Sequence, residues 1–557
     1  MLIKLIQKHK LIIVTLALVL STILLKRISY SFIFPILFFL GFSNKKDITY
    51  RRGLIFLAFT IVAIGMFSYV MNNSLGRDEN MYLTSSKLIA SQSLYNDFAY
   101  FQMPYFPIIT GNLFKLFKVT HYLLFGRIIA FAAIFSASVF IYLISFKLTG
   151  SKFVSLASML IFSMNETIVR TCGYAWNHII PLTFLLIALY FYLNSHVENS
   201  RYKRLFFCGF FAALAFGTKL FYISTIIPLL VFTIFYPKKL SPKNHLKTEI
   251  TSFISGLFIG SFSLIYYLFR NPEIFVFNNI KYHSLNSLWY KEIGTSSLVS
   301  LKQKLLGVKA LLLNHSNFFL TTITVFFIIM LLVSFTKREK PNVNLKINYI
   351  GLSASMLIFA IIIVFLPSPM QELYFILPFT LMLFLTLCFY NSIPNHCNIY
   401  FRSIFITTAT IVMLSGGPRL FRYADGRTFK TESWKGIVVH QTANDIKRSI
   451  PNMKSTDRIA TLSPLYAIES QTNIYNEFST GPFLYRVGHF INNEKLARYK
   501  GTSKIHLNAF LDEQKPKAIL VGHDKLVEQP FIDYANSRRY LKVTKDFDGL
   551  TLYVLNK

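Results

Sequence analysis

The acidic residues best placed to do chemistry lie in one polar stretch, residues 72–121, between two strongly apolar segments. Arg77, Asp78 and Glu79 stand together near its start, and Asp97 follows before an aromatic run. Carboxylates beside apolar segments are suited to act as a general base on a substrate carried by a lipid. The plainer interpretation is that the two adjacent acids stabilise the first turn of a helix, where negative charge is favourable.

A second group of candidates lies in the sequence LYNDFAYFQMPYFP, residues 94–107. Its aromatic residues and two prolines predict a rigid segment at the membrane surface. Asp97 is a second candidate catalytic residue in this segment, or an acid on a loop surface. Gln102 is neutral and can only orient a substrate or satisfy backbone groups.

Four further ionisable residues have positions that allow a role in binding. Lys219 lies at the turn between two apolar segments, where it can neutralise a phosphate or extend toward lipid headgroups. Arg127 begins an apolar segment, a position more typical of an interfacial anchor than of a ligand. His283 lies in a polar loop, where a single histidine is more often a hydrogen-bonded surface residue than a metal ligand. Glu372 follows two prolines and can pair with a cation or cap a helix.

The composition identifies a polytopic membrane protein. The 557 residues are 53% hydrophobic and include 57 phenylalanines, and the mean hydropathy is +0.46, which is too apolar for a soluble globule. The formal charge of +33 comes from basic clusters in short loops, as expected for cytoplasmic loops facing anionic lipid, and not from a nucleic-acid-binding stripe. The 4 cysteines have no CxxC spacing, so neither a disulfide framework nor a zinc site is predicted.

The apolar segments and basic loops predict about thirteen membrane spans, with the N-terminus inside and the C-terminus outside. The first apolar run, residues 11–25, resembles a signal-peptide core without a cleavage pattern and is interpreted as an uncleaved anchor. The alternation of spans places the loop with Asp78, the Asn177–His178 pair, Lys219 and the loop with His283 on one face. We expect that face to be extracytoplasmic.

The character of the chain changes near residue 417. Charged residues become frequent, and short apolar runs at 458–462, 518–521 and 550–555 alternate with polar, helix-like stretches. This pattern predicts a small α/β domain over residues 417–557, beyond a mainly α-helical membrane domain over residues 1–416. No internal repeat is visible, so the commonest sequence signature of a transporter is missing.

At the level of motifs the chain resembles GT-C-type integral-membrane glycosyltransferases, which include the protein O-mannosyltransferases and the lipid A aminoarabinose transferases. Arg77-Asp78-Glu79 with Tyr82, followed by LYNDFAYFQMPYFPI, is similar to their first outer loop. GFFAALAFGTKLFYISTIIPLL resembles their glycine-rich double span, and ELYFILPFTLMLF resembles a later span. The resemblance extends over most of the chain from about residue 53.

This resemblance implies transfer of a sugar from a polyprenyl-phosphate donor to a lipid, glycan or protein acceptor at the outer face of a bacterial inner membrane. It makes Asp78 the acid of the first loop, acting as base or orienting group. The implied substrate-binding residues, with Asp97 lining the same cavity, are Glu79, Tyr82, Gln102, Arg127, Lys219, His283 and Glu372. An in-line displacement needs a base on one side of the anomeric carbon and positive charge on the leaving phosphate.

One departure narrows this interpretation. Where the aminoarabinose transferases carry Glu-Lys-Pro-Pro, this chain has Gln102-Met103-Pro104-Tyr105. A neutral glutamine cannot replace a carboxylate as metal ligand or base, so no metal ligand is assigned, although a divalent metal stays possible, and lipid A modification is less favoured. Two other functions remain open: a flippase or transporter of lipid-linked glycans, and a polymerase or ligase of surface polysaccharide.

Overall fold

The computed structural model of the protein describes residues 48–195, 200–235, 242–294, 300–336, 343–392, 398–424 and 426–556. The two predicted N-terminal spans, residues 11–25 and 29–42, lie outside these ranges. Up to Leu420 the described chain is built from helices, joined in places by 3-10 and π turns. The α-helices are α1 (Ile48–Asn72), α2 (Arg77–Leu88), α3 (Tyr105–Leu116), α4 (Tyr122–Thr149), α5 (Lys152–Met164), α6 (Glu166–Cys172), α7 (Ile179–Asn194), α8 (Arg201–Thr218), α9 (Ile223–Phe235), α10 (Pro242–Gly260), α11 (Phe262–Arg270), α12 (Pro272–Val276), α13 (Tyr282–Glu292), α14 (Leu301–Leu312), α15 (His315–Thr336), α16 (Val343–Phe365), α17 (Ile376–Ser392) and α18 (Asn398–Leu420).

The mainly helical class is confirmed, but the count of about thirteen spans is not. Among the described residues, α1, α4 and the segment Glu372–Tyr390 are each long and apolar enough to cross a membrane. Two predicted single spans are bent pairs instead, α5 with α6 at 60° and α10 with α11 at 56°. Asn165 explains the first bend, because it ends α5 and its side chain accepts a hydrogen bond from Ile168 N at the start of α6 (3.2 Å).

Small residues let two of these helices approach closely. A methyl group added at Gly209 of α8 would collide with the carbonyl oxygen of Phe253, and one at Gly256 of α10 with that of Phe206. Glycine is therefore required at this crossing, as is common between membrane helices. The crossing holds α8, whose C-terminal end leads directly to Lys219.

The expected small α/β unit is present near the C-terminus. The apolar runs predicted there form β1, β3 and β5 of one five-stranded sheet with the order β2-β1-β3-β5-β4. β1 is parallel to β2 and β3, whereas β5 is antiparallel to β3 and β4. The elements are α19 (Lys435–Arg448), β1 (Arg458–Thr461), α20 (Pro464–Glu469), β2 (Asn473–Ile474), α21 (Pro482–Val487), α22 (Asn493–Arg498), α23 (Leu507–Glu513), β3 (Ala518–Val521), α24 (Gln529–Ser537), β4 (Leu541–Lys542) and β5 (Thr551–Val554). The preceding helix α18 runs through the predicted domain boundary at residues 416/417.

The C-terminal region packs against the polar stretch that the sequence analysis singled out. Leu83 of α2 and Leu123 of α4 share an apolar cluster with Leu465 and Leu520. Asn80 accepts a hydrogen bond from Leu465 N (3.3 Å). Helix α2, which carries Asp78, is therefore held between the helical region and the C-terminal sheet.

Candidate active site

Five of the nine candidate residues line a cavity of about 280 Å³, to which the C-terminal region contributes Phe483 and Arg486. It forms where the start of α2, the segment before α3, the turn after α8, helix α13, residues 367–374 and helix α21 meet. Its polar lining residues are Arg77, Asp78, Tyr82, Gln102, Trp176, His178, Lys219, Tyr282, His283, Asn286, Tyr290, Ser368, Gln371, Tyr374 and Arg486. The structure thus brings together Asp78, Tyr82, Gln102, Lys219 and His283 from the predicted set.

Asp78 is the second residue of α2 and lies two positions after the N-cap Gly76. Its carboxylate lines the cavity and has neither a hydrogen bond nor an ion pair with any residue that the structure describes. Burial raises the pKa of Asp78, while the charges of Arg486, Arg77 and Lys219 oppose that rise. A carboxylate with a raised pKa and free lone pairs is suited to accept a proton from a hydroxyl group.

Glu79, by contrast, points away from the cavity and is fully buried. Its Oε2 lies 2.9 Å from Nη2 of Arg127 and its Oε1 lies 3.1 Å from Nε, so the pair is bidentate. The same carboxylate accepts from Gly76 N (2.7 Å) and Ala175 N (2.8 Å). Neither Glu79 nor Arg127 lines the cavity, so their role in substrate binding stays a prediction, which this geometry does not favour.

The guanidinium of Arg127 extends this network to the backbone before α2. Its Nη1 donates to the carbonyl oxygen of Asn73 (2.7 Å) and its Nη2 to that of Ser74 (2.8 Å). The pair therefore fixes the loop that leads into α2. Because Asp78 is the second residue of that helix, its position depends on this buried pair.

Lys219 supplies positive charge inside the cavity. Its side chain is 6% exposed, and no carboxylate of the described chain lies within ion-pair distance of it. The ammonium Nζ lies 2.7 Å from Nδ1 of His178 and faces the rings of Phe221 and Tyr374, each centred 5.3 Å away. Burial lowers the pKa of Lys219 to about 7, although Asp78 opposes the shift.

His178 keeps this environment receptive to an anion. Burial, together with the charge of Lys219, lowers the pKa of His178 well below its usual value. The ring is therefore neutral near pH 7 and accepts a hydrogen bond from the ammonium. A neutral partner leaves the positive charge of Lys219 available for a ligand.

Gln102 is oriented by a chain of hydrogen bonds. The Tyr82 hydroxyl donates to Asn177 Oδ1 (2.8 Å), and Asn177 Nδ2 donates to Gln102 Oε1 (2.9 Å). This arrangement leaves the amide NH₂ of Gln102 as a donor at the cavity wall. Burial also raises the pKa of Tyr82 well above its usual value, so its hydroxyl stays neutral.

His283, near the start of α13, is an exposed residue that lines the cavity. The preceding residue, Tyr282, stacks on Phe101 with ring centroids 3.6 Å apart. This stack joins α13 to the segment that carries Gln102. It explains how a polar loop far along the chain comes to face α2.

Besides Glu79 and Arg127, two more predicted site residues lie outside the cavity wall. Asp97 is exposed, and its carboxylate accepts a hydrogen bond from Ser93 N (2.6 Å). Glu372 forms an ion pair with Arg170 (2.6 Å) and is not part of the cavity wall. Their roles in the reaction stay predictions that this geometry does not favour. No group of three or more metal-binding side chains occurs among the residues that the structure describes.

Several lining residues had no role in the sequence analysis. His178 was expected on the same face as Asp78, but nothing marked it as a partner of Lys219. Asn286 and Tyr290 lie on one side of α13, at helical spacing from Tyr282. Arg486 enters from α21, more than 400 residues after Asp78, and no local motif marks it.

Comparison with known proteins finds one family model and several solved structures that are similar to this chain. Residues 103–266 match the model of the dolichyl-phosphate-mannose-protein mannosyltransferase family. ArnT from Cupriavidus metallidurans bound to undecaprenyl phosphate is similar in structure, with a TM-score of 0.59 at 12% identity, covering 90% of this chain and 98% of ArnT. ArnT in the apo state gives a TM-score of 0.54 at 10% identity, covering 91% and 99%. No curated protein sequence matches the chain. At these identities the structural likeness shows a shared fold, and with the family match it confirms the resemblance to GT-C-type membrane glycosyltransferases.

Proposed function

We propose that this chain, which has the fold of GT-C-type membrane glycosyltransferases, moves a sugar from a polyprenyl-phosphate-linked donor to a lipid, glycan or protein acceptor. One observation carries the proposal. Asp78 and Lys219 line the same small cavity, and neither has an ion-pair partner within the described ranges. A base and a cation in one cavity are the two groups that displacement of a phosphate-linked sugar requires.

In the proposed reaction, Asp78 accepts the proton of an acceptor hydroxyl as its oxygen bonds to the anomeric carbon. The bond between that carbon and the phosphate oxygen breaks at the same time, and its electron pair goes to the phosphate. Lys219 then stabilises the negative charge that develops on the leaving group. Gln102, held by Asn177, offers an amide donor that can orient the sugar.

The electrostatics of the cavity fit this division of roles. Lys219, whose pKa is about 7, becomes fully protonated when a phosphate binds beside it, because an opposite charge favours the charged form. Asp78 keeps a raised pKa, which brings it closer to the pKa that suits a base near neutral pH. The raised pKa of Asp78 therefore favours proton acceptance near neutral pH, and the bound phosphate restores the positive charge of Lys219.

We place the cavity at the extracytoplasmic face of a bacterial inner membrane. Helix α8 begins with Arg201, Lys203 and Arg204 and ends next to Lys219 at the cavity. Its 18 residues extend over about 27 Å at 1.5 Å per residue, so its basic end and its cavity end lie far apart. Basic residues prefer the cytoplasmic end of a span. This supports a cavity on the opposite side.

The test is turnover with purified protein in detergent. Wild type is incubated with a panel of radiolabelled polyprenyl-phosphate sugars and a membrane lipid extract, beside Asp78→Asn and the control Asp97→Asn. We expect wild type and Asp97→Asn to consume one donor, and Asp78→Asn to be slower by about 100-fold or more, since a positioned base contributes at least that much. Monodisperse elution verifies folding.

Two outcomes would count against the proposal. If no donor of the panel were consumed, the flippase or transporter interpretation would be favoured, and ion- or ATP-dependent flux of a lipid-linked glycan would be measured next. If folded Asp78→Asn kept full activity, Asp78 would not be the base. Equal losses in Asp78→Asn and Asp97→Asn would contradict the choice of Asp78 over Asp97 as the base.

A further inference from the structure

Arg486, a cavity residue from the C-terminal region, is surrounded by aromatic rings and has one amide partner. Arg486 of α21 is 4% exposed and lines the cavity. Its guanidinium lies 4.4 Å from the ring centre of Trp289 and 4.9 Å from that of Phe483. Its Nη2 donates to Asn286 Oδ1 (2.6 Å). Aromatic rings and one amide thus hold a planar cation in a fixed orientation.

Most of the hydrogen-bonding capacity of Arg486 is unused. Its Nε and Nη1 are buried and have no hydrogen-bond partner of good geometry in the part of the chain that the structure describes. The Tyr282 hydroxyl beside it donates to the carbonyl oxygen of Phe483 (3.4 Å) and carries no negative charge. A buried cation with free donors is unfavourable unless a ligand completes its contacts.

Other arginines at the contact between the helical region and the C-terminal region have acidic partners. Arg498 lies 2.7 Å from Glu273, and Arg77 lies 3.3 Å from Asp524. Among the described residues no carboxylate lies within 4.0 Å of Arg486, and this includes Asp78, which lines the same cavity. Arg486 therefore differs from its neighbours in being both buried and without an acidic partner.

We propose that Arg486, held by Asn286, forms a second anion subsite in the cavity, separate from Lys219, which binds a phosphate or carboxylate group carried by the acceptor or by the transferred sugar. The inference rests on the proposed function, because it adds to the same cavity. If Lys219 holds the phosphate of the lipid, the planar donors of Arg486 remain for a different oxyanion. The substrate would then carry two anionic groups, and the C-terminal region would complete the binding site.

The first experiment uses undecaprenyl phosphate and inorganic phosphate as probes, with calorimetric titration of purified protein. We expect inorganic phosphate to bind wild type that is already saturated with undecaprenyl phosphate. Arg486→Gln should weaken this phosphate binding by about tenfold or more, as expected for loss of charge-assisted hydrogen bonds, while keeping its affinity for undecaprenyl phosphate. Arg498→Gln, in the same region and exposed, is the matched control and should bind both probes normally.

A second variant guards against simple misfolding. Arg486→Lys keeps the charge but loses the planar donors, so we expect it to retain measurable phosphate binding at reduced affinity. All variants must elute as monodisperse protein. Complete displacement of phosphate by undecaprenyl phosphate would overturn the proposal, because the two probes would share one subsite. Unchanged phosphate binding in Arg486→Gln, or a tenfold loss of undecaprenyl phosphate affinity, would also overturn it.

A further arm distinguishes the two sources of the anionic group. Wild type and Arg486→Gln are titrated with a polyprenyl-phosphate donor that carries a neutral hexose and with one that carries a uronic acid. If the sugar supplies the group, the uronic donor binds wild type more tightly and the difference disappears in Arg486→Gln. If the acceptor supplies it, both donors bind alike and phosphate still binds beside the neutral donor. Turnover in the donor panel is measured independently of these binding results. Failure of the proposed function can therefore be distinguished from failure of the second anion subsite.

Discussion

Replacement of Glu79 by glutamine is the sharpest test of how the site is built. Glu79 and Arg127 are both 0% exposed, and the carboxylate makes two contacts to the guanidinium and two to backbone N–H groups. Glu79→Gln leaves the Arg127 charge buried without compensation. Breaking a buried pair in this way costs about 3–5 kcal/mol. We expect a loss of stability of that size.

The assay is unfolding by SDS in mixed micelles, followed by circular dichroism. Glu273→Gln is the matched control, because Glu273 pairs with Arg498 at a similar distance (2.7 Å) but is 40% exposed. An exposed pair contributes about 1 kcal/mol or less. The double variant Glu79→Gln/Arg127→Met buries neither charge. We expect its loss of unfolding free energy to be smaller than the sum of the losses in the two single variants.

The same variant separates a positioning role from substrate binding. Since the pair fixes the loop before α2, folded Glu79→Gln should lose kcat through misplacement of Asp78 and keep its affinity for undecaprenyl phosphate. The reasoning would be refuted if Glu79→Gln were as stable as wild type and bound undecaprenyl phosphate at least tenfold more weakly. Glu79 would then contact the substrate, as the sequence analysis predicted.

Three further predictions concern the cavity. Because the pKa of Lys219 is about 7 and only the protonated form attracts phosphate, undecaprenyl phosphate should bind more tightly at pH 6 than at pH 8 in titrations. Lys219→Arg, which is always charged, should remove this pH dependence. An unchanged pH dependence in Lys219→Arg would contradict the role of Lys219 in binding phosphate. Because burial raises the pKa of Asp78 and the base must be ionised, kcat should fall on acidification at a higher pH than for an ordinary carboxylate; a pH profile flat down to pH 4 would contradict this. Gln102→Ala should lower turnover by about tenfold through loss of one oriented donor, measured by donor consumption beside Met103→Leu, and full activity would exclude Gln102 from sugar binding.

Local patterns in the sequence were sufficient for much of the fold. Apolar segments predicted α1 and α4, and the short apolar runs near the C-terminus predicted β1, β3 and β5. The number of spans could not be predicted as well, because an apolar run such as residues 153–171 does not show that the helix breaks at Asn165. Hydropathy sums over a window and is insensitive to one capping side chain.

What the sequence by itself determined is the chemistry available: a membrane protein with adjacent acids in a polar stretch and a lysine at a turn between apolar segments. Only the tertiary structure decided that Asp78 faces the cavity whereas Glu79 is buried against Arg127. Adjacent residues of a helix point about 100° apart, so the packing around α2 selects which one meets a substrate. The same holds for Arg486, because only the docking of the C-terminal region on α13 brings its guanidinium to the cavity. Contacts between distant segments depend on burial summed over the whole chain, and no local motif encodes them.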